Sequence, residues 1–77
     1  MDCFICDQPA QSRQGFGDTL RVSCEGCGEY AIDGIMIRQL TIYARNLSTV
    51  GTRQWLEEQR AEGYKAPFIG VDVAVWD

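Results

Sequence analysis

The stretch Cys3-Phe4-Ile5-Cys6, followed after seventeen residues by Cys24-Glu25-Gly26-Cys27-Gly28, decides how this chain is built. Two residues between paired cysteines let a tight turn aim both sulfurs at one point, and N–H groups in such turns can donate to the sulfurs. Gly26 within the second turn and Gly28 just after it suit backbone angles that a Cβ resists. Asp7 holds the place of Gly28 after the first pair, and Asp tolerates the left-handed region better than most residues. A spacer of seventeen residues is long enough for two short strands and a loop to return the second pair to the first.

The four thiolates of Cys3, Cys6, Cys24 and Cys27 therefore read as ligands of one tetrahedral ion. Zn²⁺ is the expected metal, and iron also suits four sulfurs. The competing readings are two disulfides or four buried thiols, but a CxxC disulfide needs a thioredoxin-like βαβ context that this chain does not offer. Four protein ligands leave no open position for water or substrate, so the single ion is expected to be structural. A chain of 77 residues makes one domain, 1–77. It buries only about 60% of its unfolded surface, so a metal staple is in keeping with its size.

Hydrophobic residues make up 45% of the chain, too many for a disordered one. No apolar run approaches the roughly 18 residues of a membrane span. Met1-Asp2-Cys3-Phe4 carries neither the basic region nor the apolar segment of a secretory leader. The expected location is a reducing cytoplasm, where paired cysteines hold metal rather than form disulfides. The net charge of −4, made more negative by four thiolates around one divalent ion, works against non-specific adhesion to nucleic acid or anionic lipid. The acidity concentrates in residues 1–30, where five acids face Arg13 and Arg21.

Beyond the cysteines, Leu20-Arg21-Val22-Ser23 and Glu29-Tyr30-Ala31-Ile32 alternate at period two and predict strands. Over 33–63 the pattern is helical: Asp33 is the expected N-cap, and Met36, Leu40, Tyr43 and Leu47 share one helical face. The run Asn46 to Thr52 predicts a break. A second helix led by Trp55 and Leu56 then runs to about Glu62, with Gly63 placed to end it. Pro67 precludes helical continuation. The β-branched and aromatic run 68–76 predicts a strand with Ile69, Val71, Val73 and Val75 on one face.

The residues Cys3, Cys6, Cys24 and Cys27 resemble the ligand set of the zinc-ribbon superfamily, in which two CxxC knuckles on β-hairpins clamp a zinc ion. Val22 to Asp33 looks like the second knuckle of small bacterial and phage ribbons. Arg45-Asn46-Leu47-Ser48, Trp55 to Gln59 and Ala66-Pro67 are similar to the helical segment that follows it in some of them. Some such ribbons head longer proteins tied to phage–host conflict. The resemblance implies a small α+β fold: a zinc ribbon over 1–32 (β-hairpins with a Cys₄ zinc), two short helices over 33–63 and a C-terminal β-strand over 68–76. It also implies a zinc-stabilised recognition element of the kind mobile elements encode, and no reaction.

The chain has no His, the commonest general acid or base, and no phosphate-cradling glycine loop. Ser12, Ser23 and Ser48 have no recognisable catalytic partner, and Glu57-Glu58 diverge on a helix. No enzyme is expected. Arg38 and Arg45, and likewise Arg53 and Arg60, are seven apart. On antiparallel helices they would form a basic stripe for phosphates or an acidic protein surface. The favoured reading of these arginines is a solvated face, with Glu57 near Arg53 and Arg60.

Phe4, Ile5, Phe16, Tyr30, Trp55, Tyr64, Phe68 and Trp76 are many large side chains for so small a core. Trp76 is therefore a candidate interface anchor. An apolar terminal strand would also invite a homodimer or an added partner strand. The expected function is a protein–protein recognition module, a phage- or mobile-element-encoded modulator of a host defence or transcription complex. The alternative is a nucleic-acid-binding zinc ribbon acting in transcription regulation.

Overall fold

The computed structural model describes all 77 residues. Strands β1 (Ala10–Gln14), β2 (Leu20–Cys24) and β3 (Gly28–Ile32) form an antiparallel meander. A two-residue strand β4 (Phe68–Ile69) adds parallel to β3, giving the sheet order β1-β2-β3-β4. Helices α1 (Gly34–Thr41) and α2 (Thr49–Ala61) lie between β3 and β4 in the chain. The result is a small α+β protein. No helix is long and apolar enough to cross a membrane.

The period-two alternation in β2 and β3 does what pleating requires. Val22 and Cys24, with Tyr30 and Ile32, sit on the buried face, while Arg21, Ser23 and Glu29 take the other. The buried face packs with Met36 of α1, Leu56 of α2, Ile69 of β4 and the N-terminal Cys3 and Ile5 in one core cluster. The cysteines are thus part of the core rather than an appendage to it. The spacer between the pairs holds β1 and β2, the two strands and loop that its length allows.

Asp33 caps α1, its carboxylate accepting from Met36 N–H at 2.8 Å. Ser48 caps α2, its hydroxyl accepting from Gly51 N–H at 3.1 Å. Gly63, at φ +107°, ends α2. Its N–H donates to Arg60 O and that of Tyr64 to Gln59 O, the paired bonds of a Schellman motif.

Two expectations fail here. The first helix stops at Thr41 instead of carrying its apolar face to Leu47. Thr41, Ile42 and Tyr43 are weak helix formers, and Ala44 turns the chain at φ +52°. Tyr43 is left 66% exposed, while Leu47 is buried from a loop.

The strand expected over 68–76 reaches only Phe68–Ile69. A strand needs a neighbour, and β3 ends opposite Ile69 as the chain leaves it for α1. Residues Val71–Val73 form a 3₁₀ turn instead. The last residues then bond to the loop before α2: Ser48 N–H donates to Val75 O, and Asp77 N–H to Asn46 O. Gly51 is what lets that segment lie against α2, since a Cβ there would stand 2.6 Å from Val75 Cγ1.

Candidate metal centre

The first knuckle is a tight turn closed by Asp7 N–H to Cys3 O and by Cys3 N–H to Gln8 O. Asp7 sits at φ +62°, the left-handed angle expected of it. The second knuckle is the β2–β3 turn. Gly28 leaves it at φ +81°, whereas Gly26 has an ordinary φ and is small for another reason. A Cβ on Gly26 would lie 2.7 Å from the Arg53 guanidinium.

The two turns bring all four sulfurs within 4.8 Å of one another. Cys3 Sγ lies 3.9 Å from Cys27 Sγ, and Cys6 Sγ 3.6 Å from Cys24 Sγ. All four are free thiols, which removes the disulfide reading. Tetrahedral coordination at metal–sulfur distances of about 2.3 Å sets sulfurs about 3.8 Å apart, so these edges fit one ion. Cys3, Cys24 and Cys27 are buried and Cys6 is half-buried. This cluster can hold a metal ion.

Two of the sulfurs, those of Cys3 and Cys27, accept hydrogen bonds from N–H or O–H donors, the arrangement that suits thiolates. Cys3 Sγ accepts from Ile5 N–H at 3.4 Å. Tyr30 Oη accepts from Phe4 N–H at 3.1 Å, so its own proton is free for Cys3 Sγ at 3.2 Å. Cys27 Sγ accepts from Arg53 Nε at 3.3 Å.

Ionisation follows the same contacts. Burial pushes Cys27 up to about 12 against the pull of Arg53, and burial also raises Cys24. Burial acts upward on Cys6 as well, but the Gln8 N–H and the neighbouring thiols outweigh it, and Cys6 falls to about 7. Tyr30 is raised by its burial and by Cys3, which keeps it the protonated donor. Arg53 is raised by its bond to Cys27, so its charge is fixed.

Family profiles, curated proteins and solved structures give no match to the chain. The reading of the cluster rests on its own geometry.

The four expected ligands are brought together; the four arginines are not. Arg53 and Arg60 reach across from α2 to the second knuckle. Arg60 Nη2 donates to Cys27 O at 2.8 Å and to Glu29 O at 2.7 Å. Neither pairs with Glu57, since the one ion pair in the chain is Arg21 with Glu29. Arg45 lies in the loop after α1, its guanidinium 3.8 Å from the ring centroid of Trp76. Arg38 remains exposed on α1. Trp76 is half-buried, bridged to Leu47.

Sequence reasoning missed Tyr30 and Arg53 as donors to sulfur. Alternation put Tyr30 on the same face as Ile32, but nothing in the spacing says what its hydroxyl meets. The reach of α2 to the knuckle carries no sequence signal at all.

Proposed function

We propose that this protein is a zinc ribbon whose Cys₄ centre holds the fold for a protein-recognition surface. The observation that carries the reading is the closed cluster: four convergent sulfurs, all from the chain, built into the core. Such a centre leaves no position for substrate and contributes folding energy. A tetrahedral set of four sulfurs suits zinc or iron, and zinc's lack of redox chemistry agrees with a structural role.

Protein recognition is favoured over nucleic-acid binding by where the arginines go. Arg53 and Arg60 are engaged with the knuckle and Arg45 with Trp76, so the stripe that would grip phosphates is dispersed. Apolar side chains instead stand free at the end of the sheet away from the sulfurs. Phe16 is in the β1–β2 turn, Ile35 at the start of α1 and Phe68 on β4, and all three are exposed.

Two measurements test the proposal. Elemental analysis of the purified, untagged protein should find one zinc per chain, and a result of no metal would overturn the ribbon. Titration with labelled duplex and single-stranded DNA at about 50 mM salt should show no binding. Tight binding that fades steeply as salt rises would replace protein recognition with the nucleic-acid reading.

A further inference from the structure

Strand β1 is one of the two outer strands of the sheet, and its hydrogen bonds fix which way its backbone groups point. Ala10 bonds away from β2: its N–H donates to Met1 O at 2.8 Å, and its carbonyl accepts from the Met1 amine at 3.3 Å. Gly15 N–H donates the other way, to Thr19 O across the hairpin at 2.8 Å. Antiparallel pairing alternates, so Gln11 and Arg13 bond to β2, while the N–H and C=O groups of Ser12 and Gln14 face outward. Residues Gln11 to Gln14 are all exposed. Ahead of them Met1 and Asp2 already pair with Ala10 and Pro9, so a ladder has started on this edge.

The side chains beside that edge carry the second observation. Arg13 lies directly opposite Arg21, two like charges abreast on the open face of the sheet. Arg21 Nε is buried without a hydrogen-bond partner, and its Nη2 reaches Glu29 Oε1 only at 3.9 Å. Arg13 has no acidic partner. With Gln11, Ser23 and Glu29 these arginines line a shallow groove of about 250 Å³. Phe16 stands where the edge ends, 95% exposed.

We infer that the β1 edge accepts an extended peptide strand with acidic side chains from a partner protein. Ser12 and Gln14 supply the ladder, Arg13 and Arg21 take carboxylates on the open face, and Phe16 meets an apolar residue at the end. The inference rests on the protein-recognition reading and gives it a surface. A second copy is the other strand an edge invites. Self-pairing centred on Arg13 sets Arg13 against Arg13, and pairing centred on Ser12 joins two Arg13–Arg21 pairs on one face. An acidic strand relieves the repulsion that a second copy would double.

The test is selection of a displayed library of random twelve-residue peptides on the metal-loaded protein, with Ser12→Pro as counter-bait. Proline is tolerated on an edge strand whose N–H faces solvent, so this variant should melt like wild type while losing the central donor. Enriched peptides should carry acidic residues at alternate positions. By fluorescence anisotropy they should bind Ser12→Pro and Arg13→Glu at least tenfold more weakly than wild type. No enrichment, or enrichment of basic peptides, would overturn the inference. Peptides that bind Ser12→Pro equally well would overturn this site while leaving protein recognition standing. A wild-type dimer by ultracentrifugation that Ser12→Pro abolishes would assign the edge to a second copy instead.

Discussion

Replacing Cys24 with serine removes one ligand from the centre. Cys24 ends β2 opposite Gly28 and is buried. Structural zinc contributes about 10–16 kcal/mol in small zinc modules. A domain of this length is stable by about 4–12 kcal/mol in all, at roughly 0.05–0.15 kcal/mol per residue. Even a quarter of the metal's contribution, about 2.5–4 kcal/mol, is therefore a large share of the whole. At about 4–8 °C per kcal/mol for a domain of this size, Cys24→Ser should lower Tm by at least about 10 °C or abolish the cooperative transition. Circular dichroism melts, with elemental analysis on the same samples, read both changes. Ser23→Ala, one residue away and exposed, is the control and should stay within about 0.5 kcal/mol. If Cys24→Ser melts within about 2 °C of wild type, and a strong chelator leaves the wild-type spectrum unchanged, the sulfurs do not hold the fold.

Three further substitutions probe the surroundings of the cluster. Thr52 is buried in α2 with its hydroxyl unpartnered, so Thr52→Val should raise stability by about 1 kcal/mol in urea unfolding. Arg60→Ala takes the guanidinium donor from the carbonyls of Cys27 and Glu29. It should destabilise by about 1–3 kcal/mol and speed metal loss to a chelator. Gly28→Ala places a Cβ at φ +81°, 2.7 Å from Arg60 Nη2, whereas Gly17→Ala at φ +65° meets nothing within 4 Å. Thermal melts should therefore show the larger loss at Gly28, by about 1 kcal/mol or more.

The local parts of this fold were legible because local chemistry dictates them. Cys spacing announced the two knuckles, alternation announced β2 and β3, and Asp33, Asp7 and Gly63 behave as capping and left-handed residues do. What stayed hidden depends on neighbours. The valines at 71, 73 and 75 have strand chemistry, but β3 offers pairing only at Ala31 and Ile32, so the chain coils away. Leu47 fits a helical period by coincidence of spacing and is buried from a loop that Val75 to Asp77 hold down. Arg53 and Arg60 carry the pattern of a solvated face, because nothing along the sequence says that a knuckle lies within their reach.

Helix α2 contributes no sulfur, yet it touches both knuckles: Thr49 Oγ1 donates to Ile5 O at 2.8 Å, and Arg53 and Arg60 donate to Cys27. During synthesis all four thiols leave the ribosome before this helix does, so the two knuckles can gather an ion before α2 packs against them. An ion held by the four sulfurs would then owe part of its retention to an element that supplies none of its ligands.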